Sequence, residues 1–152
     1  MPNLISEHFT LEELTFSQAG ARQGIDNTPS PEILLNLNRT AGVLEEVRTL
    51  LGGASIHINS GYRCAALNTF IGGSKTSAHL HGLAADFIVP SFGSVLEIAQ
   101  AIAASGIVFD QLIHEYGTWV HIGLAPTGVA PRRQLLTIFK GTGYRPGILP
   151  KP

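Results

Sequence analysis

The sequence predicts an α+β fold, with a small, mainly antiparallel central sheet and flanking helices. Three observations carry this. Helical patterns come first and on the flanks. Short strand-like runs cluster in the middle of the chain. Two of these, Phe109 to Glu115 and Trp119 to Gly123, lie close enough to form a hairpin around a turn at Gly117. The 152 residues make one domain with room for a single core. Charged residues are only 14% of the chain, which excludes a disordered, highly charged polymer.

The elements follow in order. Thr10-Leu11-Glu12-Glu13 is a capping-box pattern that opens a short helix. Gly20 to Asn27 reads as turns. Ser30-Pro31-Glu32 supplies an N-cap, a first-turn proline and a first-turn acid. Ile33, Leu34, Leu37, Ala41, Leu44, Val47 and Leu51 then form one apolar stripe, and Gly52-Gly53 ends that helix. Ser55 to Ile58 alternates as a strand does, and Asn59 to Arg63 is a loop. A short helix over Ala65 to Phe70 stops at Gly72-Gly73. Ala84 to Val89 is a strand ended by Pro90, and Val95 to Ala104 is a second amphipathic helix. The Gly- and Pro-containing last 25 residues read as irregular, with one strand possible at Gln134 to Phe139. The chain divides into a helical part (1–53), a central part with the candidate site residues (54–125) and a basic tail (126–152).

Charge is uneven. Residues 1–50 hold seven acids and three bases, whereas residues 51–152 hold four acids and seven bases. Five bases and no acid fall in the last 21 residues. This reads as a solvated tail or as weak attraction to a polyanionic surface. A formal net charge of −1 gives no sign of nucleic-acid binding. No apolar run reaches about 18 residues, so no membrane insertion is expected. A single cysteine excludes an internal disulfide framework and a multi-cysteine zinc site. Six histidines remain as candidate ligands or acid–base groups.

A catalytic zinc needs three protein ligands and one open position, and ligands are best aimed from strands or strand ends. His79 precedes a strand, Asp86 lies on it and His121 lies on a later one. Gly82, Ala84 and Ala85 would let the backbone bring His79 and Asp86 together. Two histidines and an aspartate also occur on separate elements by chance, and spacing alone leaves both readings open.

The wider pattern is more specific. Ser77-x-His79-x-x-Gly82-x-Ala84-x-Asp86, preceded by Ser60-Gly61-Tyr62-Arg63 and followed by Trp119-Val120-His121-Ile122, resembles the zinc D-alanyl-D-alanine carboxypeptidase family. That family includes phage L-alanyl-D-glutamate endolysins and shares its metal-site fold with the hedgehog signalling domain. The resemblance covers roughly residues 55–125. It implies Zn²⁺ held by His79, Asp86 and His121, with Arg63 and Ser77 at the substrate's carboxylate or carbonyl. It also implies a monomeric peptidase of peptidoglycan stem peptides. A planar guanidinium suits Arg63 to a carboxylate.

The chain departs from the family at the general base. Many members carry Asp or Glu three residues before the last histidine, where this chain has Thr118. Glu115 is the nearest carboxylate. Side chains alternate faces along a strand, so the hairpin loop decides its role. With a loop of Tyr116-Gly117 alone, Glu115 faces away from His121. With Tyr116-Gly117-Thr118, Glu115 pairs with Trp119 and shares the face of His121. The longer loop is expected. His114 faces the metal only under the shorter one, and is the candidate oxyanion donor.

Of the other residues, His8 and His57 read as structural or exposed, and His81 as a surface residue or a support beside the ligands. Cys64 reads as a small hydrophobe rather than a nucleophile. Asp110 is either a partner orienting a ligand histidine or a surface residue. Trp119 is a core or cleft-wall residue. The N-terminus lacks the basic and apolar regions of a secretory signal. Synthesis in the cytoplasm and action at the cell wall after release are therefore expected, as for a phage or prophage lysis protein. Two other readings are a non-catalytic zinc-binding module and a phage structural component with a degenerate peptidase domain.

Overall fold

The computed structural model describes residues 3–152. Helix α1 (Leu11–Thr15) begins with the expected capping box between Thr10 and Glu13. A second helix, α2 (Gln18–Arg22), follows at once, where turns were expected. Its start is set by Ser17, whose Oγ accepts from the Gly20 amide at 3.1 Å. Helix α3 (Pro31–Leu50) begins at the expected Ser30 cap and buries Leu37, Thr40, Ala41, Leu44 and Val47. The shorter α4 (Ala65–Phe70) and α5 (Val95–Ala103) lie where the pattern placed them.

Among the described residues, six strands form one sheet: β1 (His57–Ser60), β2 (Ala84–Ile88), β3 (Gln111–Glu115), β4 (Trp119–Gly123), β5 (Gln134–Phe139) and β6 (Gly143–Pro146). Their spatial order is β1-β2-β4-β3-β5-β6. Every pairing is antiparallel except β3 with β5. The fold is thus α+β with a mainly antiparallel sheet. β1 starts two residues later than expected. An irregularity between Ile58 and Ser60 carries the pairing from Phe87 to Asp86. The C-terminal segment is more regular than expected, since β6 pairs with β5.

Alternation gives the sheet two different faces. Ala85, Phe87, Leu112, Val120 and Ile122 join Leu37, Leu44, Ile98 and Ile102 in one core beneath α3 and α5. Burying a leucine or isoleucine side chain there contributes ~1.5–3 kcal/mol. The opposite face carries Asp86, His121 and Glu115. The basic tail is partly structural. Arg132 pairs with Asp110 (Nη2 to Oδ2, 2.7 Å). Arg133 donates to the Ala103, Ser105 and Ile107 carbonyls at and just beyond the end of α5. None of the helices is long and apolar enough to cross a membrane, among the described residues.

Candidate metal centre

Two neighbouring strands and one tight turn bring the three ligand candidates together. A 3-10 turn over Ala78–His81 holds His79, and Ser77 caps it by accepting from the His79 amide at 3.2 Å. Gly82 then takes a left-handed conformation (φ +70°) that redirects the chain into β2. A Cβ there would lie 3.0 Å from Ile33 and 3.1 Å from Leu37 of α3, so the turn seats directly on that helix. Thr40 fixes it by donating to the Gly82 carbonyl at 2.7 Å. β2 places Asp86 opposite His121 of β4.

His79, Asp86 and His121 offer ligand atoms that all lie within 4.8 Å of one another. His79 Nε2 stands 3.3 Å from Asp86 Oδ2, and His121 Nδ1 stands 2.9 Å from Asp86 Oδ1. All three residues are buried. His79 Nδ1 lies 2.7 Å from the Gly61 carbonyl oxygen. A carbonyl oxygen only accepts, so Nδ1 carries the proton and a neutral ring presents its Nε2 lone pair to Asp86. Burial pushes the His79 imidazole pKa down, and the Asp86 charge only partly opposes this. Burial raises the Asp86 carboxyl, but His79 and His121 outweigh it and hold Asp86 well below the usual carboxylate range. A lone pair therefore meets a carboxylate oxygen in a buried site. A cation resolves that contact, and the N/O donor set suits zinc. The residues present fit the metal.

The hairpin register answers the question posed by Thr118. Glu115 pairs with Trp119 and Ile113 with His121, so three residues form the loop. Tyr116 (φ +58°) and Gly117 (φ +64°) turn the chain, and the Thr118 amide donates to the Glu115 carbonyl at 2.9 Å. Glu115 therefore stands on the face of Asp86 and His121. Burial raises its carboxyl above the ordinary value and the Asp86 charge adds to this, while His121, Trp119 and Arg63 oppose it.

His114 is corrected by the same register. It alternates onto the core-side face, 2% exposed, and is no oxyanion donor at this centre. Its Nδ1 lies 2.9 Å from the Leu149 carbonyl, and its ring meets Phe139 edge-on at 5.2 Å. It pins the C-terminal segment behind the sheet.

Arg63 follows β1 and donates to Ser77 Oγ from Nη2 at 3.3 Å. Its Nε is buried without a partner among the described residues. Burial lowers the guanidinium pKa, and the charges of Asp86 and Glu115 pull it back up. A half-buried guanidinium with an unpaired donor suits an anionic or carbonyl group.

Two supporting residues were not singled out from the sequence. Gly61 supplies the carbonyl that orients His79, and the amide of the next residue, Tyr62, donates to the Leu14 carbonyl at 2.7 Å. A Cβ on Gly61 would lie 2.3 Å from that same Leu14 oxygen. Asn27 donates to the Thr15 carbonyl (2.8 Å) and the Tyr62 carbonyl (2.9 Å), and accepts from the Cys64 amide (2.7 Å). It clamps the loop carrying Arg63 from both sides. The Ser60–Arg63 motif signalled that loop, but no local pattern marked Asn27. Elsewhere, His8 pairs with Glu45 of α3 (2.6 Å), and His57 and His81 are exposed. Asp110 is engaged by Arg132 rather than by a ligand histidine.

A buried His–Asp–His group, with a carboxylate on the same sheet face as Asp86 and His121 and a half-buried guanidinium nearby, suits a hydrolytic metal centre. The family model described as Peptidase M15 matches residues 7–123, and the chain belongs to that family. It is accordingly a zinc-dependent metallopeptidase acting on peptidoglycan-type substrates. No curated protein matches the chain.

Proposed function

We propose that this chain is a single-domain hydrolase of stem-peptide amide bonds in peptidoglycan, serving as a phage or prophage endolysin and cutting as a carboxypeptidase or an endopeptidase. The observation that carries the reading is that Asp86, His121 and Glu115 share one face of the sheet and the Ala78–His81 turn brings His79 to the first two.

His79 Nε2, Asp86 and His121 Nδ1 would hold the zinc. Bound there, zinc supplies a Lewis acid that polarises the scissile carbonyl and acidifies water. The Gly61 carbonyl keeps His79 in the tautomer that leaves Nε2 unprotonated. Glu115 takes the proton of the attacking water as its oxygen bonds to the carbonyl carbon. Glu115 returns that proton to the amine as the C–N bond breaks. Arg63, backed by Ser77, binds the carboxylate or carbonyl of the stem peptide and fixes the scissile bond over Glu115.

Digestion of defined muropeptides, read by mass spectrometry, tests the proposal. Release of a terminal residue marks a carboxypeptidase, and release of an internal fragment marks an endopeptidase. Muropeptides left intact by zinc-loaded protein would contradict both and favour a non-catalytic zinc module.

A further inference from the structure

The family match ends at residue 123, yet the sheet continues. β5 and β6 lie beyond the match and widen the metal-side face by two strands. Cross-strand pairing sets one line of side chains on that face. Trp119 is opposite Glu115, Glu115 is beside Ile138, and Ile138 is opposite Tyr144. Neighbouring strands lie ~4.8 Å apart, so the Tyr144 backbone stands ~10 Å from that of Glu115. Only an aliphatic side chain, Ile138, lies between them on the line.

Tyr144 is 60% exposed, and its hydroxyl makes no hydrogen bond to the protein among the described residues. Burial of part of the ring raises the phenol pKa, and the charges of Glu115, Tyr116 and Asp86 add to this. The hydroxyl thus senses the catalytic carboxylates and keeps its proton as a donor. Repulsion from the same carboxylates makes a neutral carbonyl, not a carboxylate, the group it suits.

The hairpin that presents Tyr144 is braced. Thr142 Oγ1 accepts from the Phe139 amide at 3.0 Å and donates to the Gly143 carbonyl at 2.7 Å. Thr137 Oγ1 donates to the Gly147 carbonyl at 2.8 Å and accepts from the Leu149 amide at 2.9 Å. Arg63 lies at the β1 end of the sheet and Tyr144 at the β6 end, so an extended peptide held by Arg63 crosses Glu115 towards Tyr144.

Resting on the proposed function above, we infer that Tyr144 is a further substrate-binding residue, its hydroxyl donating to a backbone carbonyl of the stem peptide on the side away from Arg63. At ~3.4 Å per extended residue, ~10 Å places that carbonyl about three residues from the scissile bond.

The test compares Tyr144→Phe with the parent on two substrates, a dipeptide spanning the scissile bond and a full-length stem peptide. Loss of the hydroxyl should lower kcat/KM about tenfold on the stem peptide, chiefly through KM, with less than a twofold change on the dipeptide. Zinc content and Tm should not move, because the side chain is exposed. No change on the stem peptide, or an equal loss on both substrates, would overturn the inference. Titrating the stem peptide into zinc-loaded Glu115→Gln, with and without Tyr144→Phe, separates this from the catalytic reading. About tenfold weaker binding in the double variant supports Tyr144 even if the parent cuts neither peptide. Equal affinity, or no binding by either protein, overturns it.

Discussion

Gly61→Ala should loosen the metal centre without touching a ligand. The added Cβ would stand 2.3 Å from the Leu14 carbonyl oxygen, against the 3.0 Å that real Cβ contacts keep. The two segments must therefore part by 0.7 Å or more. Both atoms at the contact are backbone, so no side-chain rotation relieves it. Separation stretches the Tyr62 to Leu14 hydrogen bond from 2.7 Å and pulls the Gly61 carbonyl off His79 Nδ1. Overpacking of this kind costs ~1–3 kcal/mol, and a lost hydrogen bond adds ~0.5–1.5 kcal/mol. A loss of ~2–4 kcal/mol in a chain of this size lowers Tm by about 5–15 °C. Misorienting a ligand histidine weakens metal binding ~10–100-fold. Calorimetry gives the first quantity, and competition with a zinc chelator gives the second. A variant whose Tm stays within about 2 °C and whose zinc affinity is unchanged would refute the claim that this loop is held rigidly against α1.

Three other outcomes are expected. Glu115→Gln should cut hydrolysis ~10²–10⁴-fold while zinc stoichiometry stays that of the parent, checked by elemental analysis beside a rate assay. Arg63→Lys should raise KM with little change in zinc content, because a point charge replaces a planar fork; unchanged kinetics on a stem peptide would remove Arg63 from the cleft. Hydrogen bonds from Arg132 hold the Asp110 carboxyl below the usual range, against some burial. A depressed carboxyl contributes stability that is present above its unfolded value of ~3.9 and is lost as pH falls through its lower folded value. Since Arg132 is largely exposed, the contribution is ~1 kcal/mol. Asp110→Asn should lower Tm by ~2–4 °C at pH 7 and flatten the loss of stability as pH falls below about 4.

Much of the site was legible because its residues sit where local rules are strong. Asp86 and His121 lie on short apolar strands, where alternation fixes direction. Gly82 marks the turn that seats on α3. The role of Glu115 reduced to a single question of loop length, and the register of β3 with β4 gave the side of the sheet. The same logic decides His114. Adjacent residues on a strand face opposite ways, so the register that aims Glu115 at the metal side sends His114 into the core. The supports of the site were not legible. Gly61 and Asn27 act through backbone carbonyls and amides of segments distant in sequence, and such contacts leave no periodic trace. α2 was hidden because five residues hold too few apolar positions to show a period. β6 was hidden by its Gly143 and Pro146 ends, which read as turns although the strand between them pairs with β5.

Hydrolysis should require one zinc, held by His79, Asp86 and His121. Zinc titrated into metal-stripped protein, with stem-peptide cleavage followed at each addition, tests it most directly. The rate should be negligible without metal, rise linearly and reach its plateau at one zinc per chain. Cleavage by metal-free protein, or full zinc loading without cleavage, would contradict it.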